Sequence, residues 1–391
     1  MKKLAKITEN LCGQPMFDML AKMQQKEENG EKVYHLEIGD SDFPTSPHIR
    51  DTIKSALDNE EYHYCDSTGT VEFKRAIQKD TEKRLGFRPL LNQIVVMPSN
   101  AIIDFVLRVV CNEGDEVIYT DPGFSTYIAV TSYTGIKGIG VPIYANHKFH
   151  ITANDIENKI TEKTKLIIIN SPHNPTGAVL TKTEIMEIAL LAKKYDLYIL
   201  SDEIYSRIVY GVNHHSPSYI DHCAERTIIL EGFAKAYAMP GMRLGYAIAP
   251  LLVAEKLGKL FQTIYSCYPP FIQAGGIAAL RNDSDGLKQR VRIYKVLRDL
   301  VCAKIDSIEA LSYVKPEGAV YLFINIKKTG MTASEFCDFA LNKTNIAMLP
   351  GTCFGSNGEE YVRICFTREP ETIVEAFDKL SYSLKERRAD K

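Results

Sequence analysis

Lys165-Leu166-Ile167-Ile168-Ile169-Asn170 is the stretch from which the fold of this chain is predicted most clearly. The run is too short for a typical helix and too uniformly apolar for a strand with one exposed face, so it predicts a strand buried on both faces. Thr181 and Glu184 then have capping-box spacing, and the apolar positions that follow share one helical face. Leu197-Tyr198-Ile199-Leu200 predicts the returning strand. This strand-helix-strand unit predicts a parallel sheet with a right-handed crossover.

The same alternation of β-branched runs and amphipathic stretches extends from about residue 95 to residue 250. Further strands are predicted at 94–97, 116–120 and 226–230, and a helix at 101–111 follows a turn at 98–100. We therefore predict an α/β fold, in which a large domain has a mostly parallel sheet flanked by helices. A smaller α+β domain is predicted from both termini. The predicted ranges are 1–50 for an N-terminal segment joining the small domain, 51–287 for the large domain and 288–391 for the C-terminal small domain.

The composition excludes several classes of partner. The 391 residues include 47 Lys plus Arg against 49 Asp plus Glu, a balance too even to attract nucleic acid or an anionic membrane. The N-terminus has no continuous apolar segment, and no later stretch approaches the length of a membrane span, so we expect a cytoplasmic protein. The nine cysteines include no Cys-x-x-Cys pair, and we expect no metal site and no disulfide framework. A small molecule is the expected partner.

The segment from Glu231 to Tyr246 combines an enclosed lysine with an arginine. Lys235 lies among Gly, Ala and Phe residues, and Arg243 follows eight positions later. Poor hydration disfavours the ammonium form of such a lysine and leaves an amine that can form a Schiff base. An arginine presents a planar fork of donors that suits a phosphate. The pair suggests a cofactor that carries both an aldehyde and a phosphate, and pyridoxal phosphate is such a cofactor. The alternative is a surface lysine and a helix-capping arginine.

Two other loops follow strands and carry residues suited to the same cofactor. Asn174 lies in a loop fixed by two prolines and a glycine after the buried strand, where its amide can donate to a phenolate oxygen. Asp202 and Tyr205 follow the next strand, and a carboxylate there can keep a pyridine nitrogen protonated. The simpler alternatives are an Asx-turn at Asn174, a helix N-cap at Asp202 and a packing role for Tyr205. Ligands of open α/β sheets bind at the carboxyl ends of the strands, where all these residues are placed.

Three motifs together resemble those of the fold-type I pyridoxal-phosphate enzymes, specifically the class I/II aminotransferase family. They are Asn-Pro-x-Gly at 174–177, Asp-x-x-Tyr at 202–205, and the lysine segment with its arginine. The resemblance covers nearly the whole chain. It implies that Lys235 forms the Schiff base and moves a proton during catalysis, and that Asp202 faces the pyridine nitrogen. It also implies that Asn174 and Tyr205 donate to the ring oxygen and that Arg243 binds the phosphate.

The resemblance assigns further residues around the cofactor and the substrate. Aromatic Phe124 would stack on the cofactor face, while Tyr64 would reach the phosphate of the neighbouring subunit in a homodimer. The phosphate would lie at the start of a helix, where N–H groups are free. The residues expected there are Ser99, Asn100 and Ala101. Gly39 and Asn174 would line the substrate pocket.

Arg363 is predicted to bind the substrate carboxylate. In Tyr361-Val362-Arg363-Ile364-Cys365-Phe366, strand alternation separates the arginine from its apolar neighbours and leaves it beside Tyr361 and Cys365. An arginine partly enclosed there needs an anion, and the family uses the matching arginine to grip the substrate α-carboxylate. The alternative is a structural salt bridge on a solvent-facing strand.

Two of the positions that depart from the family precede the lysine. Several relatives have a serine three residues before the lysine and another directly before it, where this chain has Gly232 and Ala234. We therefore expect the backbone amides, Ser99 and Arg243 to carry more of the phosphate binding.

The expected function is amino transfer between an L-α-amino acid and a 2-oxo acid by a ping-pong mechanism. A β-elimination C–S lyase or a decarboxylase on the same fold is the first alternative, because each uses the same electron sink. A regulatory module that only senses the cofactor is the second, although no helix-turn-helix region precedes the fold. The substrate side chain is left open, with Phe17, Tyr127 and Phe354 as aromatic residues that either line the pocket or belong to the core.

Overall fold

The computed structural model describes residues 2–389 of the 391. Their helices are, in chain order, α1 (Pro15–Glu28), α2 (Pro47–Asp58), α3 (Val71–Leu85), α4 (Ser99–Val110), α5 (Ser125–Thr134), α6 (Ala153–Glu157), α7 (Lys182–Lys194), α8 (Leu251–Tyr265), α9 (Pro270–Asn282), α10 (Ser284–Asp306), α11 (Ala333–Thr344) and α12 (Pro370–Ala389). Among the helices described for this range, none combines the length and the hydrophobicity that a membrane span requires.

Short strands alternate with these helices. They are β1 (Tyr34–His35), β2 (Ile94–Val96), β3 (Glu116–Asp121), β4 (Lys137–Pro142), β5 (Thr164–Asn170), β6 (Tyr198–Asp202), β7 (Thr227–Gly232), β8 (Gly245–Ile248), β9 (Ser312–Tyr313), β10 (Tyr321–Asn325), β11 (Ile346–Ala347), β12 (Leu349–Pro350) and β13 (Tyr361–Cys365).

A seven-stranded sheet forms the centre of the fold, with the strand order β2-β8-β7-β6-β5-β3-β4. Strands β3 to β7 pair in parallel, and β8 runs antiparallel to both of its neighbours, β2 and β7. The mostly parallel sheet predicted from the sequence is therefore confirmed. Strand β8 was not predicted, and its reversed direction makes the sheet mixed.

The central strands are buried on both faces, as their uniform apolar composition predicted. On β5, Leu166 and Ile168 belong to one hydrophobic cluster, whereas Ile167 and Ile169 belong to the cluster on the opposite face. This separation follows from the two-residue period of a strand. The capping box before α7 also forms, because the Thr181 hydroxyl accepts the Glu184 N–H at 3.3 Å and the Glu184 carboxylate accepts the Thr181 N–H at 2.7 Å. The predicted strand-helix-strand unit is present.

A second, antiparallel sheet lies later in the chain, with the strand order β12-β13-β10-β9. Strand β1 from the N-terminal segment pairs in parallel with β11, between residues Tyr34 and Ile346 and between His35 and Ala347. This pairing is consistent with a small domain drawn from both termini. The division into 1–50, 51–287 and 288–391 stays a prediction, and residues 1, 390 and 391 of those ranges lie outside the described part.

Candidate active site

One cavity lies at the carboxyl edge of the seven-stranded sheet, and most of the predicted site residues line it. Its volume is about 400 Å³, which falls among the volumes of small-molecule sites, about 300–1,000 Å³. The predicted residues on its wall are Gly39, Ser99, Asn100, Phe124, Asn174, Asp202, Tyr205, Lys235 and Arg243. Tyr64, Ala101 and Arg363 are not on this wall. The structure therefore brings together nine residues that are far apart in the sequence.

Lys235 projects into this cavity from the loop that follows β7. Its side chain is half-buried, and its Nζ donates a hydrogen bond to the backbone carbonyl of Gly39. Gly39 belongs to the N-terminal segment, so the amine lies between the central sheet and a segment almost two hundred residues away in sequence. A Cβ at position 39 would lie 3.1 Å from this Nζ and would overlap the hydroxyl of Tyr321. Glycine is therefore required at position 39 to leave room for both groups.

Asp202 is the last residue of β6, and its carboxylate is buried. One carboxylate oxygen accepts a hydrogen bond from the Tyr127 hydroxyl at 2.6 Å, and the other accepts the Ile204 N–H at 3.3 Å. Burial raises the pKa of Asp202 to about 6, although both hydrogen bonds act in the opposite direction. A cation placed against this carboxylate would favour its charged form. The site is thus suited to a protonated ring nitrogen.

Two tyrosine hydroxyls are hydrogen-bonded to each other on the wall of the cavity that Asp202 also lines. Tyr205 donates to the hydroxyl of Tyr321 at 2.9 Å, and the two rings pack edge to face with their centroids 5.7 Å apart. Burial raises the pKa of Tyr205 well above its ordinary value, so the phenol remains protonated and able to donate. Tyr321 comes from β10 and also lines the cavity.

The loop with Asn174 is held against the end of β6 by hydrogen bonds. The N–H of Asn174 donates to the Asn170 side chain at 2.8 Å, and the Asn170 amide donates to the backbone carbonyl of Asp202 at 3.0 Å. Asn170 therefore joins the ends of two neighbouring parallel strands. This arrangement places the Asn174 amide and the Asp202 carboxylate on one wall of the cavity.

Helix α4 begins at another wall of the cavity. Its first two residues are Ser99 and Asn100, so the helix starts two residues earlier than predicted and the predicted turn at 98–100 is partly wrong. Pro98 precedes the helix, and no side chain caps its N-terminus. Uncapped N–H groups and the helix dipole favour an anion at this position. Ala101 lies in the same first turn but away from the cavity wall.

Arg243 provides a guanidinium near the same end of the cavity. It is exposed, has a left-handed φ of 53°, and donates through Nη1 to the carbonyl of Pro240 at 2.9 Å. Tyr64 is 88% exposed and lies outside the cavity of its own chain. Its predicted contact with a neighbouring subunit stays a prediction.

Arg363 lies behind the cavity and is fully buried, with 0% of its surface exposed. Its guanidinium is enclosed between the rings of Tyr321 and Phe354, whose centroids are 4.4 and 4.8 Å away. It donates through Nη2 to the Glu37 carbonyl and through Nη1 to Asn174 Oδ1 at 3.4 Å. Among the described residues, its hydrogen-bond partners are this amide and this carbonyl and include no carboxylate, and Nε has no hydrogen-bond partner. The alternative of a solvent-facing salt bridge is therefore wrong.

Tyr321 and Asn170 line the cavity but were not identified as site residues from the sequence. Tyr321 was missed because it comes from a distant strand and belongs to no motif around the lysine. Phe17 lines the cavity, as one of the two alternatives predicted. Tyr127 and Phe354 do not line it: the first hydrogen-bonds to Asp202, and the second packs on the Arg363 guanidinium. The position of Tyr127 three residues after Phe124 was the available signal for its place near Asp202.

The chain is similar to known proteins over most of its length. The family model described as aminotransferase class I and II matches residues 31–380. The chain is 36% identical to the aromatic-amino-acid aminotransferase 2 of Thermococcus litoralis over 92% of its own length and 93% of that protein. It is 35% identical to the aspartate aminotransferase of Pyrococcus abyssi over 95% of each chain.

Solved structures give the same result. The aromatic aminotransferase from Pyrococcus horikoshii OT3 superposes with a TM-score of 0.89 at 34% identity, covering 94% of this chain and 99% of that one. The chain belongs to the class I and II aminotransferases, a family of pyridoxal-phosphate enzymes.

Proposed function

We propose that this enzyme transfers an amino group between an L-α-amino acid and a 2-oxo acid by a ping-pong mechanism, with Lys235 as the Schiff-base lysine and proton carrier. One observation carries the proposal. The Lys235 amine and the buried Asp202 carboxylate line one cavity, and directly behind that cavity lies a buried arginine whose Nε has no partner. An amine, an acid and a guanidinium whose Nε lacks a partner are the groups that a cofactor and an α-carboxylate require.

The cavity residues fit pyridoxal phosphate. The uncapped start of α4, with Ser99 and Asn100, would hold the phosphate together with Arg243. Asp202 would pair with the ring nitrogen, because a positive partner offsets the burial that raises its pKa to about 6. Phe124 would cover one face of the ring. When bound, the cofactor supplies an electron sink that allows a bond at the substrate α-carbon to break.

Asn174 and Tyr205 would donate hydrogen bonds to the ring oxygen. Both side chains are buried on the cavity wall, and both already have polar partners that orient them. Tyr205 would exchange its present acceptor, the hydroxyl of Tyr321, for that oxygen. The Ala101 N–H, in the first turn of α4, already donates to the Pro98 carbonyl at 3.0 Å, so it would reach the phosphate only as a shared donor.

Lys235 moves the proton in this proposal. Its Nζ takes the proton from the substrate α-carbon and returns it to the reacting system, so the same amine acts first as base and then as acid. The Gly39 carbonyl, its present partner, keeps Nζ inside the cavity. A second substrate, the 2-oxo acid, uses the same residues in the reverse order, which gives the ping-pong pattern.

Arg363 would bind the substrate α-carboxylate. Its guanidinium is already desolvated between two aromatic rings, so a carboxylate would meet a charge that has lost its water. Nε is free for one of the two parallel hydrogen bonds that an arginine makes to a carboxylate. Gly39 and Asn174 would line the space between this arginine and the amine.

We also propose that the active form is a homodimer, because Tyr64 is almost fully exposed and the family places the matching tyrosine at the neighbouring subunit's phosphate. The proposed division into an N-terminal segment, a large domain and a C-terminal small domain is supported by the pairing of β1 with β11. A cytoplasmic location stays a prediction.

The test is a two-substrate assay with the purified protein and pyridoxal phosphate. Twenty L-amino acids are screened for conversion of the bound aldehyde to the amine, and active ones are paired with 2-oxoglutarate. We expect L-glutamate to form only when both substrates are present. Release of pyruvate and ammonia from L-cystathionine, with no amino transfer, would contradict the proposal.

A further inference from the structure

A cluster of four charged side chains lies beneath the two loops that carry Tyr205 and Lys235. It consists of Asp80, Arg84, Arg207 and Glu231, and we call it the Asp80 cluster. These side chains are between 2% and 19% exposed. Two belong to α3, one lies two residues after Tyr205, and one lies four residues before Lys235. The cluster therefore joins one helix to both loops.

The contacts within the Asp80 cluster are specific. Asp80 accepts two parallel hydrogen bonds from Arg207, at 3.1 and 2.7 Å, and a third from Arg84 Nε at 3.0 Å. Arg84 Nη2 lies 2.9 Å from Glu231, which also accepts the Ser206 hydroxyl at 2.6 Å. Two guanidiniums and two carboxylates make the group electrically neutral. Bidentate geometry of this kind fixes orientation as well as distance.

The cluster contacts the lysine loop on both sides of Lys235. Glu231 lies before Lys235 in the sequence, and Tyr237 lies after it. The Arg207 guanidinium is 5.5 Å from the centroid of the Tyr237 ring. Tyr237 in turn stacks on Phe233 at 5.3 Å. Both ends of the loop are thus held by the same set of charges that holds the residues after Tyr205.

Burial alone would raise the pKa of Asp80, but Arg207 and Arg84 more than offset this, and its pKa is lowered. The carboxylate is therefore charged at neutral pH. Buried ion pairs contribute little net stability compared with apolar packing, whereas removal of one partner leaves an uncompensated charge. The main effect of such a group is on geometry.

We propose that the Asp80 cluster is a positioning device that sets where the Tyr205 hydroxyl and the Lys235 amine stand relative to each other. The inference rests on the proposed function of those two residues. None of the cluster residues lines the cavity, so they act through the loops and not by contact with substrate or cofactor.

Asp80→Asn in the holoenzyme is the first test. The change keeps the shape of the side chain but leaves two guanidiniums facing one carboxylate. We expect kcat to fall roughly tenfold or more, because a displacement of about 1 Å by a remote mutation can cost about 100-fold. KM for the amino donor should change much less, since Arg363 is untouched. The pH midpoint of the bound cofactor's absorbance change should also shift, because the lysine amine is displaced.

Glu116→Gln is the matched control. Glu116 is also a buried carboxylate, paired with Lys137 at 2.9 Å and with the Thr161 hydroxyl at 2.6 Å, but it begins β3 at the far end of the sheet. We expect it to lower the melting temperature without moving the absorbance midpoint. Ser206→Ala and Arg207→Lys provide milder variants if Asp80→Asn does not fold.

The expected result is a shifted midpoint and a lowered kcat in the cluster variants but not in the control. The proposal is overturned if the folded cluster variants keep the wild-type midpoint and kcat and lose only stability. Failure of the proposed function is a separate result, seen as no amino transfer by the wild-type enzyme. The absorbance midpoint requires only bound cofactor and would still be measured in that case.

Discussion

Gly232→Ser introduces the side chain that the family resemblance places at this position, yet the space for it is already filled in this protein. Gly232 ends β7 and pairs with Gly245 on β8. A Cβ at 232 would lie 2.5 Å from Ile204 Cδ1 and would overlap the Ser99 hydroxyl. Non-bonded carbon atoms rest at about 3.5–4.0 Å, so Ile204 must retreat by roughly 1 Å and Ser99 must leave its place.

Such overpacking costs about 1–3 kcal/mol of folding free energy. Ser99 is at the proposed phosphate end, and the Ile204 N–H donates to Asp202, so both ends of the cofactor site are disturbed. If about 1.4 kcal/mol of this cost destabilises the cofactor-bound protein relative to the cofactor-free protein, the affinity for pyridoxal phosphate falls about tenfold.

Equilibrium titration of the cofactor-free protein with pyridoxal phosphate, followed by absorbance, measures this affinity, and thermal unfolding measures stability. Adding Ser99→Ala to Gly232→Ser removes the overlapping hydroxyl and leaves the Ser99 Cβ 3.3 Å from the new Cβ, so part of the lost melting temperature should return. The affinity should stay low, because Ser99 is a proposed phosphate ligand and the overlap with Ile204 remains. Gly13→Ala is the control, because an added Cβ there meets no atom within 4 Å. Wild-type affinity and melting temperature in Gly232→Ser would refute the reasoning.

Two further predictions concern the charges around the cavity. Arg363→Lys should raise KM for the amino donor about 100-fold or more, because a buried ammonium cannot supply two parallel hydrogen bonds; steady-state kinetics on the holoenzyme measures this, and an unchanged KM contradicts it. Burial raises the pKa of Asp202 from an ordinary 3.8 to about 6. Between these two pH values, the Asp202 carboxyl is protonated in the folded, cofactor-free protein but ionised in the unfolded chain. The stability of the cofactor-free protein should therefore fall as pH rises from about 4 to 6, by about 3 kcal/mol relative to Asp202→Asn. Denaturant unfolding of both proteins across that pH range gives the difference between their free energies of unfolding. A difference that stays constant with pH would be inconsistent with the raised pKa.

The strands that the sequence predicted well are those with uniform β-branched composition. Burial on both faces requires that composition, so β5 was identified from its residues alone. Strand β4 was missed because Lys137–Pro142 contains two glycines and ends in proline, which weaken a strand signal. Strand β8 is only four residues long and begins inside the segment from Glu231 to Tyr246 that was assigned to the lysine and its arginine.

In the candidate site, residues that belong to a local sequence motif were predicted, whereas contacts between residues far apart in the sequence were not. Asp202 and Lys235 were found because each lies in a recognisable motif at the carboxyl end of a predicted strand. Tyr321 was not, because its contact with Tyr205 joins residues 116 positions apart. Asp80 and Arg84 have the i, i+4 spacing of an ordinary surface ion pair, and only the fold shows that they are enclosed beneath the active-site loops.

The identity of the covalently modified residue tests the central claim most directly. Borohydride reduction of the purified, cofactor-loaded enzyme, followed by protease digestion and mass spectrometry, locates the lysine that is bonded to the cofactor. The account predicts a single pyridoxyl-modified peptide that contains Lys235, and loss of the label in Lys235→Ala. A label on another lysine, or none in a fully loaded preparation, would contradict it.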